Sequence, residues 1–437
     1  MKQFCVISAP PDTYSGYGAR ARDFIKAVYE LKKDQWDIKI MSQRWGSTPW
    51  GFIDDNLEEW GWMKPLLINN QLPKQPDVWI QITVPNEFQP VGKVNIGVTA
   101  GIETTVCDPE FIIGCNKMNL VLVSSNHAKK VFESTTYEQR DKNSNAVVEI
   151  IKIKAPVEIL FEGVDLNKYF YIPKEQLECT PLVNNLNSIS EQFSYLFVGH
   201  WLPGDFGEDR KNTSLLIKIF LESFKDKKEQ PALILKTSQA GASIMDRDEV
   251  LRKIDIIRES VEAKKLPNIY LVHGDLDDKE INNLYNHPKV KAFVSLTKGE
   301  GFGRPLAEFS LSKKPLIASG WSGHTDFLNP EFSILLPGEI TPVHPSAFAK
   351  GLIIEGSSWF SVNHSAAAQA LVDVYKNYSK FEGPAKRQAY KIKNEFNWDN
   401  MVLVLNEYLN RYVPEQKEIV LPKLKKIELP KLTKLTL

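Results

Sequence analysis

Lys298-Gly299-Glu300-Gly301-Phe302-Gly303-Arg304-Pro305-Leu306-Ala307-Glu308 is the stretch on which the reading of this chain turns. The apolar run before it, Val290 to Leu296, reads as a buried strand, and the run Leu306 to Leu311 reads as a helix. Three glycines in five positions let the backbone pass close to a ligand. Pro305 suits the first turn of a helix, where a missing N–H costs nothing. The positive end of that helix then faces out of the strand end beside Lys298 and Arg304. An anion is expected there, most simply a phosphate. Glu300 in the loop and Glu308 one turn into the helix frame the place.

The rest of the chain has ordinary globular make-up. Its 437 residues suffice for two or three domains, and 43% hydrophobic with 25% charged residues is the balance of a soluble protein. Basic and acidic residues number 54 each, so there is no global basic field of the kind nucleic acid selects. Cys5, Cys107, Cys115 and Cys179 lack metal-binding spacing and read as reduced structural thiols. Met1 leads straight into a strand and no apolar run reaches membrane-spanning length, which predicts a cytoplasmic protein.

Short apolar runs alternate with helical stretches through both halves, the pattern of mainly parallel sheets covered by helices. Strands are expected at 4–8, 36–42, 77–84, 94–100, 119–125 and 157–161, then at 194–199, 232–237, 268–274, 290–296, 315–319 and 332–337. Helices are expected over 18–31, from Ser125 or Asn126, and near 212–225, 247–264, 278–286 and 304–313. The polar segment 173–192 reads as a linker. Two doubly wound Rossmann-like α/β domains facing a central cleft are the economical architecture, with ligands outside the carboxyl ends of the strands.

Three segments stand apart. Residues 45–62 carry Trp45, Trp50, Trp60 and Trp62, which read either as an acceptor surface for sugar rings or as a local hydrophobic cluster. Residues 134–146 are polar and read as an exposed loop. The tail 414–437 repeats IVLPKL and IELPKL, and reads either as an unstructured end or as an arm for a partner or a membrane surface.

With strand, glycine loop, helix and paired glutamates in place, the C-terminal half resembles glycosyltransferase family 4, whose members are retaining, nucleotide-sugar-dependent enzymes of the GT-B fold. Further marks follow in order. Ser15-Gly16-Tyr17-Gly18 looks like the family's N-terminal glycine turn. Phe161-Glu162-Gly163-Val164-Asp165 is similar to its Asn-Gly-Val-Asp element, and Phe197-Val198-Gly199 with Arg210-Lys211-Asn212 resembles the element opening its donor domain. Ser319 to Asp326 looks like its second glycine turn, and Phe396-Asn397-Trp398 like the start of its last helix. The likeness spans about residues 1–411. It implies an N-terminal acceptor-side domain over 1–172, completed by a crossover helix at about 397–411, and a donor domain over 193–396.

The resemblance implies transfer of a hexosyl unit from a nucleoside diphosphate sugar to a hydroxyl acceptor, with retention and without metal or cofactor. Carried over by position, Glu308 would bind the ribose hydroxyls, kept ionised by its helix N-terminus. Glu300 would lie near the reacting carbon. N–H groups of Gly301, Phe302 and Gly303 would hold the sugar and distal phosphate, with Gly16 and Gly18 across the cleft. Lys211 would neutralise the leaving diphosphate, with Arg210 and Arg304 sharing that work. The turn Gly274–Asp277, including Leu276, would meet the base, and Lys236 would face the phosphates.

This chain departs from the family pattern where His200 replaces the usual arginine and Trp201 to Asp209 is inserted. It also lacks a clear counterpart of the family's N-terminal-domain histidine, and Glu103 stands at the expected strand end. A glycosidase using Glu300 and Glu308 would need the two carboxyls about 5–9 Å apart across one bond, which a Glu inside the helix makes hard. A GT-B epimerase or phosphorylase, and a weakly active nucleotide-sugar-binding scaffold, remain as alternatives.

Overall fold

The computed structural model describes residues 2–415 except Asn70, Ala240 and Ala242. The tail from residue 416, including both leucine-proline repeats, lies outside the described residues.

Every apolar run expected as a strand becomes one, and the runs assemble into two parallel sheets. The first has seven strands in the order Leu67–Ile68, Trp36–Ser42, Gln3–Ala9, Val78–Ile82, Val94–Val98, Leu120–Val123, Val157–Ile159. The second has six, ordered Ile269–Val272, Ala232–Lys236, Ser194–Val198, Val290–Ser295, Leu316–Ser319, Ile334–Leu336. In both, strand order reverses beside the first strand of the half, which opens a crevice at the carboxyl edge. The glycine loop leaves Val290–Ser295 at one such point, and the turn Pro10–Ser15 leaves Gln3–Ala9 at the other.

Helices start where short polar side chains can cap them. Ser15 accepts from Gly18 N–H, Ser125 from Ala128 N–H, and Asn397 from Asn400 N–H. Helix Trp398–Tyr412 then crosses back, and Met401, Leu405 and Leu409 are buried with Ile7, Ile80 and Val28 of the first domain. Each such side chain contributes about 1.5–3 kcal/mol on burial. Next to this crossing, Val164 N–H donates to Phe396 O and Val164 O accepts from Trp398 N–H, both at 2.9 Å. Gly163 has no room for a side chain, since a Cβ would lie 2.7 Å from Asn397 O.

The structure adds to the sequence reading at three places. The exposed loop at 134–146 is half of a hairpin, Thr136–Arg140 paired antiparallel with Val147–Lys152; Tyr137 and Ile151 anchor it on the first domain. The linker 173–192 contains helix Pro181–Ser188, capped by Thr180 and pinned by buried Val183 and Leu186. A hairpin of Gly338–Pro342 and Ser358–Val362, absent from the sequence reading, brings buried Trp359 against the loop end. Among the described residues, no helix is long and apolar enough to cross a membrane.

Candidate active site

Strand Val290–Ser295 delivers the loop 297–303 to the cleft, and Gly303, at φ 97°, turns it into helix Arg304–Ser310. That backbone conformation suits glycine. Gly299 and Gly301 are required for another reason. A Cβ on Gly299 would lie 2.0 Å from Glu103 O, and one on Gly301 would lie 2.2 Å from Ala100 O, both in the first domain. Ser124 Oγ donates to Gly301 O at 2.9 Å and is also bonded to Ala100 O. The glycines therefore let the two domains meet backbone to backbone. The loop is buried, yet the N–H groups of Gly301, Phe302 and Gly303 donate to no protein acceptor among the described residues. Buried backbone donors are rarely left so. The helix has only seven residues, so these donors and nearby cations, more than a long dipole, make the place attractive to an anion.

Glu300 is the centre of a charge cluster. Its carboxylate takes Lys211 Nζ at 2.6 Å and Arg210 at 3.3 Å, and Arg210 also lies 3.8 Å from Glu103. Arg210 is held in place by donating to Gly299 O at 2.7 Å. Burial alone would push Glu300 up, but Lys211 and Arg210 outweigh it and hold the carboxyl at about 2. Burial pulls the Lys211 ammonium below its ordinary range, opposed by Glu300. The expected trio of Arg210, Lys211 and Glu300 is thus in contact, joined by Glu103 from across the cleft.

Glu308 lies in a different pocket, 6% exposed. It accepts from Arg304 Nε at 2.8 Å and from Tyr285 OH at 3.3 Å. The expectation that the helix N-terminus keeps it ionised is corrected. Burial dominates and raises its carboxyl to about 7, against the pull of Arg304. Arg304 spans the cleft to Asp23 at 2.7 Å, so its guanidinium serves two carboxylates rather than open space. Lys298 also departs from expectation: its ammonium sits over Trp359, 3.4 Å from Glu208, and not beside the loop.

The remaining expected residues line the cleft at other points. Lys236 Nζ donates to Gly274 O at 2.7 Å, tying it to the turn that carries Leu276. His200 bonds Ser238 at 3.3 Å; burial first, then Lys211 and Lys236, lower its imidazole and favour the neutral form. Gly18 is explained by packing, since a Cβ would meet Thr13 O at 2.3 Å, whereas Gly16 faces open space. Two contributors escaped the sequence reading. Asp23 carries no local motif, and His127 lies at the second position of its helix, edge-on to Trp321 of the other domain with a ring-centroid distance of 4.5 Å. His127 Nε2 is buried without a partner among the described residues, and burial lowers that imidazole to about 4. No group of three or more His, Cys, Asp or Glu close enough to hold a metal occurs among the described residues.

Neither a protein-family model nor a curated protein sequence matches the chain. Solved structures do. The Anabaena protein HepE in complex with UDP and glucose superposes with a TM-score of 0.61 at 12% identity, covering 94% of this chain and all of that one. The chain has the GT-B fold. A glycosyltransferase from Rickettsia africae matches at TM-score 0.61 and 14% identity, covering 95% of this chain and 100% of that one. Sucrose-phosphate synthase from Thermosynechococcus elongatus matches at 0.60 and 11%, covering 94% and 99%. The cluster around Glu300 stands where the two GT-B domains face each other.

Proposed function

We propose that this chain is a retaining, metal-independent glycosyltransferase of the family 4 type, moving a hexosyl unit from a nucleoside diphosphate sugar to a hydroxyl acceptor. The observation that carries the reading is the Lys211–Glu300–Arg210 cluster beside unpaired N–H groups of the glycine loop, at the switch point of a GT-B donor domain. The complex of HepE with UDP and glucose supports a nucleotide and a hexose as the ligands.

In this reading the anomeric C–O bond to the diphosphate breaks with its electron pair leaving on phosphate. Negative charge grows on the diphosphate and positive charge on the sugar ring. Lys211, Arg210 and the N–H groups of Gly301 to Gly303 stabilise the first, as fixed donors in a site largely closed to water do well. Glu300, ionised at all ordinary pH, stabilises the second. The acceptor oxygen bonds to the anomeric carbon and its proton passes to the departing phosphate oxygen, so no enzyme base is required. Glu308 holds the ribose, Lys236 and His200 lie on the phosphate side, and the Gly274–Asp277 turn meets the base.

The glycosidase alternative is disfavoured because Glu300 and Glu308 serve separate pockets, one with Lys211 and the other with Arg304 and Tyr285. A thermal-shift screen across UDP-, GDP-, ADP- and dTDP-hexoses, followed by nucleoside diphosphate release with and without hydroxyl acceptors, tests the proposal. Acceptor-dependent release supports it. Donor binding without turnover, or hydrolysis of a simple glycoside with no nucleotide present, would overturn it.

A further inference from the structure

The four tryptophans of 45–62 separate into two pairs in the structure. Trp60 is buried in the first core and Trp62 leans on Tyr29, so these two are explained by packing. Trp45 and Trp50 are not. Trp45 is half-buried, stacked on Tyr17 with centroids 3.9 Å apart and planes 21° apart. Trp50 is 41% exposed, with the Arg44 guanidinium 5.5 Å from its ring centroid.

This aromatic pair is coupled to the candidate active site. Tyr17 OH bonds Thr99 Oγ1 at 3.0 Å and accepts from Ala100 N–H at 3.1 Å. Ala100 in turn is the residue against which Gly301 packs. Trp45 is therefore one aromatic layer and one residue away from the glycine loop. The segment that carries it is also fixed. Gln43 N–H donates to Ala9 O at 2.7 Å, Tyr14 N–H to Pro49 O at 3.1 Å, and Ile53 N–H to Asp12 Oδ1 at 2.7 Å. A rigid indole with an uncovered surface at the rim of a cleft offers a large contact area at little entropic cost. The axial C–H face of a pyranose is apolar while its rim is hydroxylated, which matches an indole face flanked by a guanidinium.

We propose that Trp45 on Tyr17, with Trp50 and Arg44 beside it, forms the acceptor subsite, and that the acceptor is a saccharide whose ring lies on these indoles. The proposal rests on the transferase reading above and adds the acceptor class to it. Saturation-transfer NMR on the full chain with methyl α-D-glucopyranoside, methyl α-D-mannopyranoside and methyl β-D-galactopyranoside tests binding without needing turnover. At least one glycoside should bind the wild type, with its affinity reduced about tenfold in Trp45→Ala and partly restored in Trp45→Phe. The dissociation constant for the nucleoside diphosphate should move less than twofold in the same variants. Three results would overturn the idea: no glycoside bound by the wild type, unaltered glycoside binding in Trp45→Ala, or an equal loss of nucleotide affinity, which would make the stack a donor contact. Glycoside binding with no transfer from any donor would instead sink the transferase reading alone.

Discussion

Arg304 of the second domain and Asp23 of the first helix, 281 positions apart in sequence, form an ion pair 2.7 Å long across the cleft. Arg304 holds Glu308 at the same time, so one guanidinium links domain closure to the carboxylate assigned to the ribose. The two roles separate by mutation. Asp23→Asn should leave nucleotide affinity within a few-fold of wild type but cut turnover, and small-angle scattering should show a larger radius of gyration. Asp23→Asn leaves Arg304 with Glu308 as its remaining charged partner and removes the ionic tie between the domains. An unchanged scattering profile with unchanged turnover would remove the latch role.

If Glu308 binds the ribose as proposed, donor affinity should depend on pH. Its carboxyl sits at about 7, and ribose hydroxyls are best accepted by the ionised form. Affinity for the nucleotide sugar should therefore improve by roughly tenfold between pH 6 and pH 8. Glu308→Gln should flatten that dependence, as calorimetry across the range would show. Folding stability moves oppositely. The unfolded carboxyl ionises near 4.5, the folded one near 7, so between them the native state keeps the extra proton and loses stability as pH rises.

Lys211→Ala should lower kcat by about 10²–10³-fold, the usual effect of removing one stabilising group from a charged transition state. Donor affinity should fall less, because the proposed ribose and base contacts do not involve Lys211. Removing Lys211 also strips Glu300 of its 2.6 Å partner, so the carboxyl should titrate higher than about 2. Steady-state kinetics with donor binding measured separately distinguishes this from simple loss of affinity.

Gly301→Ala tests the meeting of the domains. A Cβ there would lie 2.2 Å from Ala100 O, so the domains cannot approach as they do here. Turnover should drop at least as far as in Asp23→Asn, with the circular-dichroism spectrum of the folded chain unchanged. A variant with wild-type kinetics would show that the contact is dispensable.

The strands were legible because parallel strands buried on both faces are written as unbroken apolar runs, as in Ala232–Lys236. The hairpins were not. Val147–Lys152 (VVEIIK) sets its apolar residues in adjacent pairs without strand alternation and is largely exposed, and Gly338–Pro342 ends in proline and carries glutamate. Helix Pro181–Ser188 hid in an asparagine-rich stretch with low intrinsic helix propensity, and it is held by the packing of Val183 and Leu186. At the site, contacts within the second domain could be anticipated from the order of motifs. Asp23 and His127 could not, since their partners come from the other half of the chain and leave no spacing to read. The environment of Glu308 was misjudged for a similar reason: its position beside a helix start is local, whereas its burial under Tyr285 is tertiary.

The return of helix Trp398–Tyr412 to the first core has a mechanical consequence. The polypeptide passes between the domains twice, near Gly163–Val164 and near Phe396–Asn397, and the two passages are stitched together by the paired bonds of Val164. Two adjacent strands of chain act as a double-pinned hinge, which permits swing about one axis and resists twist or separation. The register in which Arg210 of one domain lies 3.8 Å from Glu103 of the other is thus constrained by chain connectivity as well as by charge.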